Sequence, residues 1–75
     1  MLFERIKARR IEYNLTQQDL ANRAGVNRSL ISFIEDGTKV PSVAVLIKLA
    51  KALNVSTDWL LGLKNEGGNS NGIRN

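Results

Sequence analysis

Arg28, Ser29, Ser32 and Phe33 lie within six consecutive residues and form the densest group of recognition side chains in the chain. Projected on a helix at about 100° per residue, Leu30, Ile31 and Ile34 share one face. Arg28, Ser29, Ser32 and Asp36 fall opposite, with Phe33 and Glu35 on the two flanks. A guanidinium fork in the first turn donates to two adjacent acceptors, the arrangement guanine offers in the major groove. Hydroxyls such as those of Ser29 and Ser32 bond base edges or phosphate. A large apolar side chain turned half outward, Phe33, can touch a thymine methyl. Each also has a plainer reading: Arg28 as a solvated surface arginine, the serines as spectators, Phe33 as partly packed on its own domain.

What must position these groups is a rigid partner, and the flanking sequence supplies one. A second helix is predicted from Thr16 to Ala24, with Thr16 and Asp19 spaced as a capping box. Gly25 ends it in a backbone conformation that costs glycine little. Asn27 is placed as the cap of the next helix, which runs to about Glu35 before Asp36 and Gly37 close it. Two short helices joined by a tight, glycine-containing turn form a helix-turn-helix unit. Ala21 is small where the helices cross, and Leu20, Val26, Ile31 and Ile34 are the apolar contacts expected to fix their angle.

Three further helices complete the reading. The first is predicted from Leu2 to Tyr13, with Asn14 in the left-handed position that ends it. The fourth starts at a Ser42 cap and carries Leu46, Leu49, Ala50 and Leu53 at the spacing of a buried stripe, ending at Asn54. A short last helix follows Ser56 with Trp59, Leu60 and Leu63. The fold class expected is therefore all-α, five helices, with residues 1–63 as one domain and 64–75, rich in Gly, Asn and Ser, as a disordered tail.

Arg10 lies within about 40° of the stripe formed by Ile6 and Tyr13. A guanidinium there is costly unless a carboxylate meets it. Glu35, flanking the inner face of the third helix, is the expected partner, and the pair would orient that helix relative to the first.

The 75 residues allow one domain. The chain has no cysteine and no histidine, so disulfides, thiolate metal sites and the commonest general base are excluded, and no metal or cofactor is expected. No enzyme is expected either: catalysis needs a nucleophile with its base, a metal site or a polar pocket. The charge is +4, with eleven Lys and Arg against seven Asp and Glu, which points weakly to a polyanionic partner. The longest apolar run, Val43 to Ile47, is far short of the ~18 residues of a membrane span. The N-terminus lacks the pattern of a signal peptide. A soluble, cytoplasmic protein without membrane or small-molecule partners is expected.

The run Leu15-Thr16-Gln17-Gln18-Asp19-Leu20-Ala21, with Gly25-Val26, Ile31, Glu35 and Gly37, resembles the lambda-repressor-like family of phage repressors, Cro proteins and XRE-like bacterial regulators. Pro41-Ser42, Leu49 to Leu53 and Val55 to Leu61 continue the likeness, which covers residues 2–63. It implies a sequence-specific, double-stranded-DNA-binding transcriptional regulator, a repressor above all, bacterial or phage-encoded and associated with the nucleoid. Asn27, Arg28, Ser29, Ser32 and Phe33 would read bases. Thr16, Gln17, Lys39 and Ser42 would grip phosphates, and Gln17 would also brace a side chain of the reading helix. In lambdoid phage repressors, residues at the positions of Arg10 and Glu35 form an ion pair. Where similar family members carry glutamine at 28 and 29 and a polar residue at 33, this chain has Arg28, Ser29 and Phe33, which implies a different operator; acidic Asp36 is not expected to face phosphate.

The resemblance also implies a homodimer on a pseudo-palindromic operator, with half-sites about one helical turn apart. Val55, Trp59 and Leu60 are the expected dimer surface; the other reading is that Trp59 closes the core. The chain would be a compact Cro-like regulator or a piece of a longer one. The alternative function is a protein-partner-binding regulator on the same fold, an antitoxin, antirepressor or restriction-modification controller. The outer face of the third helix discriminates: Arg28 and the serines favour DNA, and Phe33 leans the other way.

Overall fold

Most of the helix ends fall where a side chain or a turned backbone serves the polar groups that a helix end leaves unpaired. The structure, a computed structural model, describes residues 2–64. In chain order it contains α1 (Leu2–Glu12), α2 (Gln17–Ala24), α3 (Arg28–Glu35), α4 (Val43–Leu53) and α5 (Thr57–Leu60), with no strand among the described residues. The all-α, five-helix expectation is met, with boundaries within a residue of those predicted for the first four helices. Of the expected tail, residues 64–75, all but Lys64 lie outside the described residues.

At α2 the Thr16 hydroxyl accepts from the Asp19 N–H at 3.0 Å, while Asp19 Oδ2 accepts from the Thr16 N–H at 2.9 Å. This is the predicted capping box. Ser42 caps α4 and Ser56 caps α5 with a single bond each, their hydroxyls accepting from the N–H groups of Val45 and Trp59. Asn27 sits at the N-cap position of α3 in extended backbone but makes no side-chain capping bond. Its carbonyl alone starts the helix, accepting from Leu30 and Ile31. Asn14 and Asn54 end α1 and α4 at φ 59° and 57°, and Gly25 ends α2 at φ 72°.

The apolar stripes of all five helices meet in one core. Ile6, Leu20, Ile31, Ile34, Leu49, Leu53 and Leu60 are fully buried, and Ala21 and Ala24 keep the crossing of α2 with its neighbours close. α2 packs on both α3 and α4, and α1 touches α3, α4 and α5. The four residues of α5 are too few to hold a helix by their own hydrogen bonds. Burial of Leu60 contributes about 1.5–3 kcal/mol and holds the turn in place.

Two expectations for the C-terminal end need correction. Leu60 is fully buried and offers no surface for a second subunit. Leu63, expected on the inner face of the last helix, lies beyond its end and is 72% exposed. α5 stops at Leu60, so the helical period no longer aims residue 63 at the core.

Candidate nucleic-acid interface

α3 is held out from the domain by contacts on one side only. Ile31 and Ile34 are fully buried, and Leu30 packs half-buried against the core. Arg28 and Ser29 are exposed at the start of the helix, next to exposed Asn27. Ser32 is half-buried, so it turns less outward than a simple projection gives. Phe33 is 40% exposed, and the Lys39 ammonium lies 5.3 Å from its ring centroid, within cation–π range. The chain after α3 folds back to make this contact: the N–H groups of Thr38 and Lys39 both donate to the Phe33 carbonyl.

Behind this face, Arg10 and Glu35 form a bidentate pair. Arg10 Nε donates to Glu35 Oε2 at 2.7 Å and Nη2 to Oε1 at 3.0 Å. The remaining Arg10 donor, Nη1, bonds the Leu15 carbonyl at 2.7 Å. The side chains are only 12% and 4% exposed. Such a pair fixes geometry because both charges stay satisfied only in one arrangement. It ties α1 and the α1–α2 turn to the end of α3.

Gln17 joins this pair to the outer face. Its Nε2 donates to Glu35 Oε1 at 3.1 Å, and its Oε1 accepts from Arg28 Nη1 at 3.3 Å. The side-chain amide expected to grip phosphate is therefore engaged within the domain. One N–H of Nε2 and the backbone N–H at the first position of α2 remain for an anion. Of the remaining expected phosphate groups, Thr16 and Ser42 stand exposed at the caps of α2 and α4, and Lys39 lies over Phe33.

Asp36 turns back on its own chain. Its Oδ1 accepts from the Thr38 N–H at 2.8 Å. The Thr38 hydroxyl first, then its backbone N–H, hold the carboxyl below the usual carboxylate range.

Several arginines that a charge count would assign to a polyanion serve the fold instead. Arg5 bonds the Trp59 carbonyl and stacks on the Trp59 ring at 4.9 Å. Arg9 bonds the Leu53 carbonyl and covers the Tyr13 ring, and Arg23 bonds the Ala52 carbonyl. These guanidiniums neutralise the negative ends of α4 and α5. Sequence reasoning missed them, although Arg5 and Arg9 stand one turn apart on α1. It also missed the exposed apolar residues Val40 and Val43, at 75% and 74%, with Ile47 one turn beyond Val43. Of the expected dimer residues, Val55 and Trp59 are half-buried against the core, Trp59 with Arg5 on its ring. The exposed apolar groups at that end are Leu61 and Leu63.

A family model described as helix-turn-helix matches residues 6–60, the span that holds α2, the turn and α3 at its centre. The chain belongs to the helix-turn-helix family. Within it, the control protein C.SmaI of Serratia marcescens is 41% identical over 71 residues, covering 91% of this chain and 84% of that protein. The N-terminal DNA-binding domain of SinR from Bacillus subtilis superposes with a TM-score of 0.80 at 39% identity, over 88% of this chain and 97% of that one. In the SinR–SinI complex the likeness spans 60% of the matched chain. The P22 c2 repressor, solved with a synthetic operator, superposes with a TM-score of 0.77 at 37% identity, over 80% of this chain and 91% of its own. The lambda-repressor-like architecture expected from the sequence is thus the one this helix-turn-helix domain adopts.

Proposed function

We propose that this helix-turn-helix domain binds double-stranded DNA at specific sequences and regulates transcription, acting as a repressor. The observation that carries the reading is the exposed start of α3, where Arg28 and Ser29 stand outward on a helix whose other side is locked into the core. A helix presented this way fits the major groove, and the N-terminal residues of such a helix meet base edges. The likeness to P22 c2 bound to operator and to SinR, also solved with DNA, supports it.

In this reading Arg28 pairs with guanine, Ser29 and Asn27 meet neighbouring bases, and Ser32 and Phe33 face the inner positions of the half-site. Thr16, Gln17, Lys39 and Ser42 contact phosphates from the ends of α2, α3 and α4. The protein binds a pseudo-palindromic operator as a homodimer. The outer edge of Trp59 with Val55, Leu61 and Leu63 is the apolar surface available for pairing, in place of buried Leu60. No catalytic role is proposed, and the site of action is the cytoplasm, on the nucleoid of a bacterium or phage host. Among the described residues no helix is long and apolar enough to cross a membrane.

The likeness to the control protein C.SmaI over 91% of the chain, and to the restriction-modification controller C.AhdI of Aeromonas hydrophila at 30% identity, favours one refinement: a controller of a restriction-modification system. The test is titration of the protein on the duplex upstream of its own gene and on a scrambled duplex, at two salt concentrations. Selective binding to the upstream duplex is expected. Equal affinity for both would leave only the sequence-independent phosphate contribution and contradict the reading.

A further inference from the structure

Glu35 is a carboxylate with no hydrogen to give, and Gln17 Nε2 faces it at 3.1 Å. A carboxylate accepts only, so it fixes which way round the Gln17 amide sits: nitrogen inward, oxygen outward. The outward oxygen is what Arg28 Nη1 bonds at 3.3 Å. The carboxylate is itself held by two Arg10 bonds of 2.7 and 3.0 Å, and Arg10 is anchored on the Leu15 carbonyl. Leu15, Arg10, Glu35, Gln17 and Arg28 therefore form one unbroken series of donors and acceptors. It runs from the buried side of α3 to its exposed start.

We propose that Glu35, acting through Gln17, sets the orientation of the Arg28 guanidinium and is thereby a specificity-determining residue. This rests on the reading of α3 as the DNA-recognition helix; that Gln17 braces a side chain of that helix is what the family resemblance implies, and the added inference is that Glu35 fixes the polarity of the brace. The long arginine side chain loses rotamer freedom when it meets a base, and a brace already in place in the free protein removes part of that cost. The polarity also constrains position 28. Only a donor satisfies the outward amide oxygen, so Arg, Lys or an amide nitrogen suits the site, and a carboxylate does not. Glu35 and Gln17 are positioning residues: neither has to touch a base.

Two variants test this in the full chain. Gln17→Leu removes both amide bonds and leaves the Arg10–Glu35 pair intact. Glu35→Gln keeps the shape but can present an N–H₂ group outward, which releases the polarity of Gln17. Each is carried through selection from a random duplex pool, with the thermal midpoint recorded alongside. In the free protein, NMR of the arginine side chains reports how restrained the Arg28 guanidinium is. The expected result is a loss of preference of about tenfold or more at one base pair per half-site, the one lost in Arg28→Ala. Preferences elsewhere should be kept, and Gln17→Leu combined with Arg28→Ala should lose no more than Arg28→Ala alone. In Gln17→Leu the Arg28 signals should become those of a freely rotating side chain. Unchanged preference in Glu35→Gln, or in Gln17→Leu with Arg28 equally restrained, overturns the proposal while leaving DNA reading intact. A wild-type protein that selects no sequence overturns the functional reading, and the NMR comparison then still decides whether Gln17 orients Arg28.

Discussion

Arg10 and Glu35, twenty-five residues apart, meet through two hydrogen bonds in a setting where the carboxylate is almost fully covered. Removing one member strands the other. Glu35→Ala should destabilise the domain by about 3–5 kcal/mol, because it leaves a mostly buried guanidinium unpaired. Replacing both by apolar residues, as in Arg10→Met with Glu35→Leu, should restore most of that loss. Urea unfolding checks both, and an unchanged midpoint in Glu35→Ala would show that the pair contributes nothing to stability.

Arg28 stands apart from the core, so its loss should separate binding from folding. Arg28→Ala should keep the wild-type melting temperature and weaken binding to the selected operator by about 1–3 kcal/mol. Equal weakening on operator and scrambled duplexes would mark Arg28 as a phosphate contact.

Gly25 tests the turn between α2 and α3. Its φ is 72°, and a Cβ built there meets nothing within 4 Å. Gly25→Ala should therefore cost about 1–2 kcal/mol through left-handed backbone strain alone, with no steric contribution. Asn54→Gly, at φ 57°, should be close to neutral because glycine relieves the strain that asparagine carries there. A Gly25→Ala loss well beyond that of a strained backbone would mean that a Cβ at position 25 clashes with its surroundings.

The capping box gives a pH dependence of definite sign. The Thr16 backbone N–H, then its hydroxyl, hold the Asp19 carboxyl below its ordinary value of 3.8. A carboxyl that titrates lower in the folded than in the unfolded chain contributes its full stabilisation above the unfolded value. That contribution disappears as pH falls through the folded one. The melting-temperature gap between wild type and Asp19→Asn should be constant near neutrality and close below about pH 4. A gap that persists into strong acid would mean that the ionised carboxylate is not what caps α2.

The fold was legible because its signals are local. Thr16 with Asp19, Ser42, Ser56 and the positive-φ residues Asn14, Gly25 and Asn54 mark helix ends by chemistry that acts within four residues. The Arg10–Glu35 pair was legible for another reason: an arginine beside an apolar stripe demands a carboxylate, and Glu35 flanked the facing helix. Gln17 to Glu35 was not legible, since helical period gives a side chain's direction but not the separation of α2 from α3. The burial of Leu60 beside half-open Trp59 depended on where α5 stops, which four residues do not announce. Arg5, Arg9 and Arg23 were invisible as helix-end caps because an arginine suited to a backbone carbonyl looks the same in sequence as one suited to phosphate.

Selection of bound duplexes from a random pool, run in parallel on wild type and Arg28→Ala, tests most directly whether the exposed start of α3 reads DNA. Wild type should return an inverted repeat with half-sites about one helical turn apart, and Arg28→Ala the same repeat with one base pair per half-site no longer specified. No enriched sequence from wild type, or identical half-sites from both proteins, would contradict it.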